Sequence, residues 1–233
     1  MTNPYLKVLL ENQRSFRRVV PFDPATDLLR GIDLTATNTS LTGDLVNNTE
    51  LFSRYIEQEL LSSGARYLIG GYDEHRTIYS RSSLFDAETG DEPRRLHLGT
   101  DIWGPAGTPV SAPADAVVHS FADNSARGDY GATIILQHVL DEVILYSLYG
   151  HLSLASIEGL EEGKEIRAGG VFAWFGSPEE NGQWPPHLHF QLVNDLGGRR
   201  GDYPGVCRFS EREKWKRNSP TPDLVLQLDR FKQ

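Results

Sequence analysis

Between residues 3 and 18 the apolar positions Leu6, Leu9, Leu10 and Phe16 recur with a helical period, and they predict a helix that stops before Pro21 and Pro24. A second helix is written more plainly. Leu51, Phe52, Tyr55, Ile56 and Leu60 form one apolar stripe, Asn48 or Thr49 can cap its start, and Gly64 can close its end. The intervening GIDLTATNTSLTGDLVNN, rich in Thr, Asn and Gly, reads as loop or short irregular strands. From about residue 66 the period changes to two. Val117, His119 and Phe121 alternate with Ala116, Val118 and Ser120, and ATIILQH and VILYSLYGHL are further β-rich runs cut by Gly and Pro. GTPVSAPADAVVHSF and GLEEGKEIRAGGVFAWFG share a turn-rich start leading into a hairpin, a hint of internal duplication.

This patterning predicts a mainly β protein, an antiparallel β sandwich or barrel rather than βαβ units. Three parts are expected: a helical N-terminal extension over 1–65 packed on the rest, a β-rich domain over 66–195, and a C-terminal wrap over 196–233, with one late apolar run at 224–228.

Charge then narrows the partners. The 233 residues carry 23 Lys plus Arg against 32 Asp plus Glu, a net charge of -9. Such a surface repels phosphate backbones and anionic headgroups, so neither nucleic acid nor membrane is an expected partner. The single cysteine, Cys207, rules out an intrachain disulfide and a cysteine-based zinc cage. Near the N-terminus the apolar run of Val8 to Leu10 stops at Glu11, too short for a secretory core or a bilayer span, and this predicts a cytoplasmic protein. Oligomeric state leaves no mark on the sequence.

Candidate chemistry lies in three histidine-bearing segments: His97 to Asp101 as H-L-G-T-D, Y-G-H-L-S around His151, and P-P-H-L-H-F around His187 and His189. On a strand, residues i and i+2 face one side roughly 6.5 Å apart, so His187 and His189 share a pocket. One can bind a metal while the other reaches a group beside it. His97 and Asp101 would lie about 13 Å apart on a straight strand, too far to share an ion, so the chain must bend between them, and Gly99 gives it the freedom. Two imidazoles and a carboxylate are the ligand count of a catalytic zinc with an open fourth position, and further histidines beside it are free for proton transfer. Taken alone, His151 reads as a core or turn histidine. His75, His119 and His138 have no partner motif and are assigned to structure or surface.

In this order the motifs resemble those of the lysostaphin-type, or LytM-type, zinc metallopeptidases, many of which cut peptidoglycan cross-bridges. The likeness covers about residues 93–195, including PAGTPVSAPADAVV and GATIILQH. It implies a largely antiparallel β domain built on a duplicated hybrid motif, with zinc held by His97, Asp101 and His189 in a groove, and His151 and His187 as the catalytic histidines. Trp184 and Pro185 stand where the family has a small-residue loop, and Gln191 stands where a glutamate often follows. These differences alter the groove walls and count against a glycine cross-bridge as substrate. WPPHLHFQL, YDEHR and GDYPGV look like the peptidase-like module of fusion proteins that join a kinase-like domain to a class III aminotransferase domain.

The implied activity is zinc-dependent hydrolysis of a peptide bond in a peptide or peptidoglycan-derived substrate. The alternatives are a cytoplasmic amide or peptide hydrolase with a small non-wall substrate, and a metal-binding regulatory module without catalysis. A cupin-like site ranks below these, because no Glu follows His189 closely.

Overall fold

A computed structural model describes residues 3–86 and 91–232. Its helices are α1 (Pro4–Glu11), α2 (Gly43–Asn47), α3 (Thr49–Ser63), α4 (Arg212–Asn218) and α5 (Asp223–Leu226). Its strands are β1 (Leu29–Ile32), β2 (Tyr67–Gly70), β3 (Leu96–His97), β4 (Thr100–Trp103), β5 (Pro109–Ser111), β6 (Ala116–Asn124), β7 (Gly131–Leu140), β8 (Val143–Leu152), β9 (Glu165–Ile166), β10 (Val171–Trp174), β11 (His187–Val193) and β12 (Val206–Cys207).

The protein is mainly β. Eight strands form one sheet in the order β1-β2-β4-β11-β8-β7-β6-β9, and β10-β5 and β12-β3 form two small pairs. The pairings are antiparallel except for β1 with β2, which run parallel, so residues 29–32 add an edge strand that the irregular segment before α3 only hinted at. Among the described residues no helix is long and apolar enough to cross a membrane.

Alternation along β6 holds: Ala116, Val118 and Ser120 are buried, and the opposite parity is half-buried. The long β7–β8 hairpin carries Ile134, Leu136, Tyr149 and Leu152 into a core shared with Val110 of β5, Phe172 and Ala173 of β10, and Leu188, Phe190 and Leu192 of β11. Burying a side chain such as Phe190 contributes about 1.5–3 kcal/mol.

The expected second helix forms as read. The Asn48 side chain accepts from the Leu51 N–H at 3.1 Å, and Gly64 closes the helix with φ +67. Phe52 and Ile56 are its buried face, whereas Leu51 is exposed. The first helix ends at Glu11, earlier than its periodicity suggested. There the Asn12 side chain turns back to the Val8 carbonyl and reaches Asp141, and the chain turns before Phe16 meets the core.

One histidine of the hairpin gives a measurable pH dependence. His138 is buried, donating through Nδ1 to the Asp115 carbonyl at 3.1 Å and lying 2.7 Å through Nε2 from Ser147 Oγ. Burial pushes its pKa down to about 4, against that carbonyl contact. An unfolded histidine titrates near 6.5, so between these values the unfolded chain binds more protons. Stability is then complete above about pH 6.5 and declines as pH falls toward about 4. In urea titrations across that window, His138→Gln should flatten the decline by up to about one proton, an integrated difference of about 3 kcal/mol; parallel curves for the two proteins would contradict this.

Candidate metal centre

The central strand β11 has two faces. Leu188, Phe190 and Leu192 point into the core, while His187, His189 and Gln191 share the other side. Register fixes their neighbours: His189 lies opposite Asp101 of β4 on one side and Gly150 of β8 on the other, and His187 lies opposite Trp103. The bend between β3 and β4 brings His97 to the same place. Gly99, at that bend, is required by close approach rather than by backbone freedom: a Cβ there would lie 2.6 Å from Nε2 of His189 and 2.8 Å from the Phe190 carbonyl oxygen.

Three donor atoms converge. His97 Nε2 is 3.0 Å from His189 Nδ1, and Asp101 Oδ1 is 3.2 Å from the former and 3.1 Å from the latter. Among the described residues, His97, Asp101 and His189 are the group whose ligand atoms could hold one metal ion. Tetrahedral zinc with bonds of about 2.0–2.1 Å places its ligands about 3.3 Å apart, close to these separations.

The proton inventory is a sharper test. His97 Nδ1 sits 2.8 Å from the Gly71 carbonyl, which can only accept, so Nδ1 carries the proton and Nε2 faces the cluster bare. Gln191 donates its amide to the Pro204 carbonyl at 3.2 Å and to Ser219 Oγ at 3.0 Å, so its Oε1 accepts from His189 Nε2 at 3.0 Å, and His189 Nδ1 is bare as well. Burial opposes the charge on Asp101, yet the permanently charged Arg76 beside it holds its carboxyl well below the ordinary range. Burial first, and Arg76 second, push His97 down to about 4. In the tautomers that these carbonyl and amide partners favour, two imidazole nitrogens and a carboxylate oxygen turn their lone pairs toward one another, a set that suits a divalent cation.

His151 and His187 adjoin this cluster. Their rings lie 4.1 Å apart, centroid to centroid, and His187 stacks on Trp103 at 3.9 Å. Each donates through Nδ1 to a carbonyl, His187 to Pro185 at 2.7 Å and His151 to Asn181 at 2.9 Å, which leaves both Nε2 atoms proton-free. Burial pushes His187 down to about 4 and His151 well below its usual value, so both are neutral at pH 7. His151, next to last in β8, has φ +62, uncommon for a residue with a side chain, and is pinned there by its N–H on the Tyr130 carbonyl at 2.7 Å and its carbonyl on the Gly176 N–H at 2.8 Å.

All five residues named from the sequence therefore gather at one place, and four of them line a cavity of about 160 Å³, with His97 buried behind it. Ile78, Tyr79, Leu84 and Phe85 wall one side and residues 202–206 another, with Trp184 also lining the cavity. His75, His119 and His138 do not line it. Sequence reasoning missed Arg76 and the orienting part played by Gln191. The period of two that joined His187 to His189 would have reached Gln191 one step further on.

Residues 95–200 match the model of peptidase family M23. A stretch of 126 residues is 34% identical to the DD-carboxypeptidase/endopeptidase Mpg of Neisseria meningitidis serogroup B, covering 52% of this chain and 26% of that protein. A stretch of 127 residues is 31% identical to the L-Ala–D-Glu endopeptidase of Bacillus subtilis, covering 52% of this chain and 37% of that protein. The chain thus spans well under half the length of these curated relatives. The catalytic domain of the antimicrobial peptidase lysostaphin from Staphylococcus simulans aligns with 21% identity over 52% of this chain and 80% of that domain, at a TM-score of 0.35 that adds no weight. The family model and the two curated relatives together support peptidase family M23 for residues 95–200, the segment that holds His97, Asp101, His151, His187 and His189.

Proposed function

We propose that this protein is a zinc-dependent peptidase in which His97, Asp101 and His189 hold the metal and His151 and His187 handle protons. The observation that carries the reading is the convergence of three proton-free donors beside two neutral histidines whose Nε2 atoms are also bare. A zinc ion in such a site supplies Lewis acidity toward a peptide carbonyl and toward water. His187, held by the Pro185 carbonyl and the Trp103 ring, is oriented to accept a proton from water at Nε2. His151, held by the Asn181 carbonyl with its ring 4.1 Å from that of His187, would donate a hydrogen bond to a developing oxyanion after the proton that His187 takes from water is relayed to its Nε2. The two aromatic walls, Trp103 and Trp184, exclude bulk water from both rings.

The relatives' names, a DD-carboxypeptidase/endopeptidase and an L-Ala–D-Glu endopeptidase, point to peptide bonds that involve D-amino acids as the substrate class, which short stem peptides of peptidoglycan would supply. The walls favour a short peptide over the intact polymer, because Ile78, Tyr79, Leu84 and Phe85 on one side and residues 202–206 on the other narrow the cavity of about 160 Å³ above the donor cluster. This agrees with a short peptide or amide substrate. We assign residues 66–195 as the catalytic body, with residues 1–65 and 196–233 packed around it.

The test is metal analysis of the purified protein followed by incubation with short stem peptides and with intact sacculi. One zinc per chain and release of amines from the short peptides, with little from sacculi, is the expected result. Zinc at full occupancy without turnover on any peptide would favour the non-catalytic alternative, and preferential digestion of sacculi would overturn the short-peptide reading.

A further inference from the structure

We infer that Arg76 is the positioning residue that presents Asp101 to the metal through a single oxygen. The inference rests on the zinc reading above, and Arg76 lies outside the segment matched to the family.

Arg76 is completely buried. Its Nη1 donates to Asp101 Oδ2 at 2.5 Å and to the Tyr79 hydroxyl at 3.3 Å, its Nε to Glu74 Oε2 at 2.6 Å, and its Nη2 to the Gly71 carbonyl at 3.2 Å. The two oxygens of Asp101 are therefore divided: Oδ2 belongs to the guanidinium, and Oδ1 faces the bare nitrogens of His97 and His189. A carboxylate left free could turn both oxygens toward a cation. The planar, multiply held guanidinium prevents that rotation.

The same turn sets a second ligand. The Gly71 carbonyl accepts from both Arg76 Nη2 and His97 Nδ1, so the 70–76 segment orients the carboxylate and fixes the tautomer of the histidine together. Space for this exists because residue 70 is glycine: a Cβ there would lie 2.7 Å from Arg76 Nη2 and 3.2 Å from Trp103 Nε1. Burial of a guanidinium is tolerable here because two carboxylates, Glu74 and Asp101, share its charge. A segment outside the family-matched residues thus completes the outer hydrogen-bond shell of the centre.

The experiment uses cobalt in place of zinc, because its visible absorption weakens as ligands are added beyond four. In the parent chain, cobalt should give the strong bands of a four-coordinate site. In Arg76→Met, with Asp101 free to bind through both oxygens, the bands should fall severalfold, and competition with a chelator should show zinc held about 10–100-fold less tightly. Circular dichroism checks that the variant folds. Should it not, Glu74→Gln, which loosens Arg76 from the far side, is expected to shift the bands the same way by a smaller amount. Bands of parental intensity in whichever folded variant is used overturn the inference while leaving the zinc reading intact. A parent chain that takes up neither metal overturns both.

Discussion

His189→Ala is expected to leave the purified protein without zinc and without hydrolytic activity. His189 supplies one of three converging donors, and Gln191 holds its ring so that Nδ1 points inward. Apparent binding energies of about 10–16 kcal/mol for four-ligand zinc sites amount to about 3–4 kcal/mol per ligand, so losing one of three should weaken binding by on the order of 10²–10³. The parent should gain thermal stability as zinc is added, because the ion binds only the folded chain, and the variant should gain little. Without metal the variant should fold, because removing one of three mutually repelling acceptors relieves the site as well as leaving a cavity. Metal analysis and zinc-dependent melting curves check both points. A variant that keeps one zinc per chain would remove His189 from the ligand set.

His187→Ala should separate metal binding from catalysis. The ring lines the same cavity as the cluster, and its Nε2 is bare because Nδ1 is committed to the Pro185 carbonyl. Zinc content should therefore stay near one per chain while kcat falls on the order of 10²–10⁴, the usual worth of a positioned general base, with KM little changed. His151→Ala should behave alike. Because the two rings lie 4.1 Å apart and would serve the same hydrolytic step in the proposed mechanism, the double variant should be little worse than either single one. Full activity in His187→Ala with zinc still bound would refute the proton-handling role.

Much of this centre is legible in the sequence because strand geometry is local. A period of two places His187 and His189 on one face, and a four-residue gap forces a bend between His97 and Asp101. The reason for Gly99 is less accessible: its missing Cβ makes room for the His189 ring, which lies ninety residues further along the chain. Arg76 was hidden for the same reason. Nothing near YDEHR announces a buried guanidinium, and only the pairing of β2 with β4 brings the turn after β2 against Asp101. The parallel β1–β2 pair likewise joins residues that short-range patterning treats as separate. Helix α3 was readable to its caps because Asn48 and Gly64 act on their own neighbours, whereas the exposure of Leu51 depends on what the rest of the molecule packs against that helix.

Strand β11 carries core anchors and site residues on alternate positions, between β4 and β8 in the interior of the sheet. A slip of one residue would exchange Leu188, Phe190 and Leu192 for His187, His189 and Gln191, placing imidazoles in the core and apolar groups at the donor cluster. No intermediate register is tolerable, so the centre has no gradual route to disassembly. Integrity of the donor cluster and global cooperativity become one property of the molecule, and adaptive change is channelled to the cavity walls, where residues can vary without touching the register that keeps the donors aligned.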